Sequence, residues 1–328
     1  MTDKKLWIVV MVLWLMAHAA IPILAQAQSH GWPTRPVKVI MATAAGSAPD
    51  VTARIVTDRL SQLWGQQVLI INRPGAGGLI AMQAMAAAER DNHTLYFPSS
   101  SSLVVLPETN PNAPLDIDRD LIPIGILGES PFMIVAGLHV GVNSLAELIA
   151  LAKGKPGEVT YAGNFRGSLP NMTGEMLASQ ADIKLTFVPY PGSAASMKDM
   201  LGGRISLMVE GIAAFIGPLQ ANQVRALAVS SPARLPDRPD LPTVAETLPG
   251  FQSRGWTAVL APTGTPDDVV RKVSADLRSV LDIPEVRSRL EGAATYVRHM
   301  TPAETGNFIR AERQAWRPVV KRFGVTTQ

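Results

Sequence analysis

The chain has no cysteine among its 328 residues. That excludes disulfides, thiolate zinc sites, iron–sulfur clusters, a cysteine nucleophile and a lipid-bearing N-terminal cysteine. Charge is also scarce: 17% of residues are charged and the formal net charge is only +3. So small a surplus, spread along the chain, leaves no nucleic-acid footprint. His30, His93, His139 and His299 lie far apart and form no metal-ligand spacing, so neither a metal nor a cofactor is expected. No G-x-S-x-G, H-E-x-x-H, Walker A or S-x-x-K motif occurs. Gly75-Ala76-Gly77-Gly78 starts like a dinucleotide fingerprint and fails at Ile80, where the third glycine should stand. The acidic pairs Asp116/Asp118 and Asp267-Asp268 fall in turns or first helical turns, where capping accounts for them.

What is present begins with an address. Lys4 and Lys5 precede an apolar stretch, Leu6 to Ala25, and Ala25-Gln26-Ala27 is an A-x-A cleavage pattern. Residues 1–27 therefore read as a secretory signal peptide, with a retained membrane anchor as the alternative. Removing Asp3, Lys4 and Lys5 with it leaves a net charge of +2. No later stretch reaches 18 apolar residues, so the remainder is expected to be soluble. With 47% apolar residues it can fill sizeable cores, and its length fits about two domains.

Strands and helices alternate through that remainder. Apolar β-branched runs predict strands at 37–41, 68–71, 94–97, 132–136, 159–162, 185–188, 205–209, 224–229 and 256–261. Between them lie helical stripes. Ser47-Ala48-Pro49-Asp50 reads as a capping box before a helix with Val51, Ile55, Leu60 and Leu63 on one stripe. Further helices are expected at 79–88, from Ser144 to Ala152, at 171–179, from Ser193 to Gly202 and at 284–290. Thr265-Pro266-Asp267-Asp268 reads as an N-cap for a helix that buries Val269, Val270, Val273, Leu277 and Val280. Thr301-Pro302-Ala303-Glu304 caps a last helix with Phe308, Ala315 and Trp316 inward, which Pro318 should kink or end. This grammar implies an α/β fold with mainly parallel sheets.

Several helices start with glycine and serine after a strand: Gly46-Ser47, Gly167-Ser168 and Gly192-Ser193. A helix start offers unpaired N–H groups and partial positive charge, and glycine admits a ligand close to the backbone. In open α/β sheets these turns lie beyond the carboxyl ends of the strands, where ligands bind. One such serine reads as a local cap; three of them read as a site for a small anion, most simply a carboxylate. The serine run 99–102 would add hydroxyl donors.

Asn72-Arg73-Pro74-Gly75-Ala76-Gly77-Gly78 resembles the N-R-P-G-A-G-G signature of the tripartite tricarboxylate transporter substrate-binding proteins, the TctC or Bug family. Other segments agree in order, among them Asp50-Val51-Thr52-Ala53-Arg54, Ser144–Ala152, Val188–Ala194, Leu241–Glu246 and Leu260–Pro266. The likeness covers the whole chain after the signal segment, and the combination is specific where no single piece is.

The resemblance implies a type II periplasmic binding protein, with two α/β domains flanking a ligand cleft and joined by crossing segments. One domain would comprise residues 28–128 and 250–328, the other residues 129–249. It implies a monomeric receptor that captures a mono- or dicarboxylate and passes it to a membrane permease of one large and one small subunit. A receptor for a membrane sensor kinase stays open as an alternative, as does a carboxylate-processing enzyme, for which no nucleophile stands. The carboxylate would sit at Ala44, Ala45, Gly46 and Ser47 and at Ser193 and Ala194, often through ordered water. Ser100, Asn164, Arg166, Ser168, Tyr190 and Glu210 would shape the distal end.

Two departures bear on that site. The family's first turn commonly reads P-F-P-P-G-G, and here it reads Ala42-Thr43-Ala44-Ala45-Gly46-Ser47, which without prolines should be more flexible. Arg166 stands where a small polar residue is usual, as a clamp for a second carboxylate or as a rim residue. Glu210 would accept an ammonium or hydroxyl from the ligand, or pair with Arg166.

Overall fold

The computed structural model describes residues 31–110 and 112–323. The signal segment, residues 1–27, lies outside them, as does His30. Among the described residues the chain runs β1 (Val37–Met41), α1 (Ala48–Trp64), β2 (Val68–Asn72), α2 (Leu79–Ala86), β3 (Thr94–Phe97) and the short helices α3 (Ser100–Val104), α4 (Leu106–Thr109) and α5 (Ile117–Asp120). It continues with β4 (Leu121–Gly137), α6 (Leu145–Gly154), β5 (Thr160–Gly163), α7 (Leu169–Ala181), β6 (Thr186–Pro189), α8 (Ser193–Leu201), β7 (Leu207–Gly211), α9 (Ile216–Gln220) and β8 (Val224–Val229). β9 (Arg254–Pro262), α10 (Asp267–Leu281), α11 (Pro284–Gly292) and α12 (Pro302–Arg322) complete it.

The strands form two sheets that share β4. Order along the path is β2-β1-β3-β9-β4-β7-β5-β6, with β8 on the other side of β4. Parallel ladders join β2, β1 and β3 in the first sheet and β7, β5 and β6 in the second. Every antiparallel ladder involves β4 or β9. The first part of β4 pairs with β9, from Leu121 opposite Pro262 to Pro131 opposite Arg254. From Phe132 onward it pairs with β7 and β8 instead. The sequence reading placed a strand only at 132–136; in the structure the strand also runs through Pro123, Gly125 and Gly128. Two register shifts absorb those residues. A Cβ on Gly128 would lie 2.9 Å from the Tyr296 carbonyl, so glycine is required where residues 294–298 cross β4.

The inner parallel strands β1, β3, β5 and β7 are mostly buried, whereas the edge strands β2 and β6 stay partly exposed. In β1, Val37, Val39 and Met41 pack with Ile55, Val56 and Leu60 of α1 and with Val273, Leu277 and Val280 of α10. Ile40 and Tyr96 face the other way, into a core that continues through Trp256, Phe308 and Trp316 to Ile134, Tyr161, Leu169 and Met172. That core spans both sheets. A third cluster, including Met133, Met200, Met208 and Phe215, fills the far face of the second sheet.

Charged groups tie α12 to the crossing strands. Arg254 bridges Glu129 (3.4 Å) and Glu312 (3.3 Å), Trp256 donates to Glu312 (3.2 Å), and Arg254 and Arg298 both lie over the Phe308 ring.

Some local expectations are corrected. Ser47 does not cap α1: its hydroxyl turns back to the Ala44 carbonyl (2.7 Å). Pro266, which has no side-chain donor or acceptor, is the N-cap of α10, and the Thr265 hydroxyl donates to the Pro262 carbonyl instead. Val51 and Leu63 are exposed, because the buried stripe of α1 runs through Ala53, Val56, Leu60 and Trp64. Ala315 is exposed too; α12 buries Ile309, Trp316 and Val320. That helix runs on through Pro318, its last turn held down by Trp316 and Val320.

Candidate functional site

The carboxyl ends of β1, β2 and β3 make one edge, and those of β5, β6 and β7 make another. The edges touch. The Leu169 N–H at the start of α7 donates to the Ser101 hydroxyl of α3 (3.1 Å). Phe165, exposed in the turn after β5, sits 3.6 Å from where a Cβ on Gly77 would be. Behind them Thr173 of α7 and Ser253 share a hydrogen bond (2.6 Å).

On the first edge the β1–α1 turn is exposed at Ala44, Ala45 and Gly46 and half-buried at Ser47. Gly46 has φ +78°, a conformation that favours glycine. Asp50, 1% exposed, holds this turn from α1. Its carboxylate accepts from the Gly46 N–H (2.8 Å), Arg54 Nε (2.9 Å) and Asn72 Nδ2 (2.8 Å). Asn72 also donates to the Thr43 carbonyl (2.9 Å). Burial alone would raise the pKa of Asp50, but the bonds from Arg54, Asn72 and Gly46 outweigh it and hold the carboxyl below its usual range. Hydrogen bonds thus fasten a turn that has no proline. The Thr43 hydroxyl is buried there without a hydrogen-bond partner among the described residues.

The glycines of the 75–78 loop have a steric cause. A Cβ on Gly78, whose φ is +104°, would fall 2.0 Å from the Ser102 hydroxyl oxygen. The loop therefore lies directly on α3, and Ser102 donates to the Gly77 carbonyl (3.3 Å). Ser100, expected to shape the distal end, is 4% exposed and accepts from the Trp256 N–H (3.4 Å). Its neighbour Ser101 is the one that reaches the other edge.

On the second edge Glu210, Ser193 and Asn164 come together. Glu210 is the penultimate residue of β7 and is half-buried. Its carboxyl accepts from the Gly211 N–H (2.9 Å), with the Ser193 and Asn164 side chains facing it as further donors. Burial prevails over those donors and pushes the carboxyl up to about 7. Arg166 does not pair with it: the guanidinium lies over the Phe187 ring, 5.3 Å from its centroid. Ser168 is 2% exposed and caps α7 through the Asn171 N–H (3.3 Å). The Tyr190 hydroxyl donates to Asp199 (2.6 Å), which also pairs with Arg204. Ser193 and Ala194 border an open hollow of about 590 Å³ along α8, with Met197, Lys198, Leu201 and Ala214.

Helix starts differ in how they are served. Ser144, Ser168 and Thr301 cap α6, α7 and α12 with their side chains. α1 and α8, the two starts that the resemblance implicates, have no side-chain cap. α2, α10 and α11 also start without one. Ser193 was named from its place at a helix start, and Asn164 and Glu210 from the family resemblance; the structure brings the three side chains together. The sequence reading missed Asp50, Asn72 and Ser101 as parts of the site's frame, although the Asp50–Arg54 and Asn72–Gly78 segments were visible as motifs.

In open α/β sheets ligands bind beyond the carboxyl ends of the strands, which is where these two edges meet. The family model described as Tripartite tricarboxylate transporter family receptor matches residues 52–325, and the chain belongs to that family. It is 33% identical to Protein BugT of Bordetella pertussis over 306 residues, covering 92% of this chain and 93% of that protein. The solved structure "R. palustris Rpa4515 with adipate" matches with a TM-score of 0.83 and 28% identity, over 89% of this chain and 98% of that one. "MatC (Rpa3494) from Rhodopseudomonas palustris with bound malate" matches with a TM-score of 0.78 and 28% identity, over 88% and 100%. Among the described residues no helix is long and apolar enough to cross a membrane.

Proposed function

We propose that this receptor captures a small mono- or dicarboxylate in the periplasm and delivers it to a tripartite-type permease of one large and one small subunit. It acts as a monomer, without catalysis, after its signal segment is removed behind Ala27. The observation that carries the reading is the meeting of the two strand edges at Ser101 and Leu169, with the uncapped start of α1 on one edge and that of α8 on the other. Membership of the receptor family supports it, as do relatives holding adipate and malate. Unserved amides at helix starts attract a carboxylate through both hydrogen bonding and the helix dipole. Residues 28–128 with 250–328 would form one body and residues 129–249 the other, closing about β4 and β9.

A thermal-shift screen of mono-, di- and tricarboxylates, amino acids and neutral analogues tests capture. A cognate carboxylate at a hundred times its Kd stabilises the fold by about 2.7 kcal/mol. Shifts from neutral compounds alone refute the reading. Uptake of the labelled hit in a strain lacking the receptor, restored by returning its gene, tests delivery.

A further inference from the structure

Among the described residues Glu210 has no cation beside it, at the point where three turns of the second edge converge. Its polar neighbours, the Gly211 N–H, Ser193 from α8 and Asn164 from the turn after β5, are all neutral. The charged groups nearby are engaged or turned elsewhere. Arg166 lies over Phe187, Lys198 borders the open flank of α8, and Asp199 and Arg204 hold each other. On the adjacent strand β4, Met133 stands opposite Glu210 in register. A recessed carboxylate without a counter-ion is costly, and either a proton or a donor group arriving from outside removes that cost. Burial pushes this carboxyl up to about 7, so both forms are accessible near neutrality.

Resting on the receptor reading above, we propose that Glu210 selects the end of the ligand remote from its carboxylate. Ionised, Glu210 seats a donor, an ammonium above all; protonated, it donates to a second carboxylate. The first edge serves the constant carboxylate with amide donors, so ligands are told apart at Glu210. The preference between an aminocarboxylate and the length-matched dicarboxylate therefore inverts with pH.

Titration calorimetry on the whole protein tests this with two probe series. One comprises straight-chain dicarboxylates of roughly three to six carbons, the other the ω-aminocarboxylates in which an ammonium replaces one carboxylate. Measurements at about pH 8 and about pH 6 leave most ligand groups in one charge state. The aminocarboxylates should weaken about tenfold between those values, the factor by which the ionised fraction of a group titrating near 7 falls. The dicarboxylates should tighten. Glu210→Gln should flatten both profiles while keeping dicarboxylate binding, which also separates Glu210 from any histidine titrating in that window. Parallel pH profiles for the two series, or slopes unchanged in the Gln variant, overturn the role of Glu210 and leave the receptor reading standing. Silence from both series overturns the proposal too; silence from every carboxylate in the thermal screen removes the receptor reading with it.

Discussion

Asp50 and Glu210 are acids at corresponding places, each beside a strand's carboxyl end and a loop of the cleft. Their surroundings drive them in opposite directions. Asp50 has a guanidinium, a carboxamide and a backbone N–H on its oxygens and is held ionised. Glu210 has only neutral donors, and burial pushes its carboxyl up to about 7, so that both forms are populated near neutral pH. The first is the frame of a loop; the second is unfinished business for a ligand. Burial is common to both, so the presence or absence of a cation decides which role an acid plays.

The largest expected loss breaks the frame. Asp50→Ala should cost about 1–2 kcal/mol of stability in urea unfolding, because donors from three segments lose the buried acceptor that joins them. A loss under about 0.5 kcal/mol would show that the turn does not depend on Asp50. Because the pKa of Asp50 is lowered on folding, its contribution is complete above the ordinary value of 3.8 and disappears as the pH falls below it.

Glu210→Gln should act the other way. A carboxyl raised from 4.5 to about 7 in the fold makes the folded state bind more protons than the unfolded one between those values. Empty wild-type protein should therefore lose stability as pH rises through that window. At about pH 8 the Gln variant should be the more stable by on the order of 2 kcal/mol, a figure reduced for the half-exposed position. Equal melting curves for both proteins across that range would remove the contrast with Asp50.

Smaller effects sharpen the boundary of the site. Tyr190→Phe deletes the bond to Asp199 and should cost about 1 kcal/mol, with carboxylate affinity unchanged in calorimetry. A clear loss of affinity would place the hydroxyl on the ligand. Arg166→Ala gives up a contact with an aromatic face, worth about 0.5–1 kcal/mol. It should change monocarboxylate and dicarboxylate affinity by the same small factor. A selective loss for the dicarboxylate would restore the clamp.

The alternation of strands and helices was legible because apolar runs and capped helix starts are local signals. Strand positions in the two parallel groups agree with the sequence reading to within a residue or two, from Val37 to Gly211. The first half of β4 was not legible. Pro123, Gly125 and Gly128 argue against a strand locally, and only pairing with β9 makes one. Ser47 shows a related limit: the residue type fits a cap, but the turn gives its hydroxyl a nearer acceptor in Ala44. Glu210 was singled out through the family resemblance, just past the strand read at 205–209, yet its separation from Arg166 depends on where Phe187 lies on a neighbouring strand. Contacts between the edges, such as Ser101 with Leu169, join residues 68 apart and leave no periodic trace.

That last contact has a mechanical meaning. The first amide of α7 is served by a hydroxyl from the opposite half instead of by a residue of its own turn. If the halves separate, water takes the place of Ser101, and a swap of that kind changes the free energy by only about 1 kcal/mol. That bond thus marks the contact between the two edges without fastening it; the apolar core that spans both sheets does the holding.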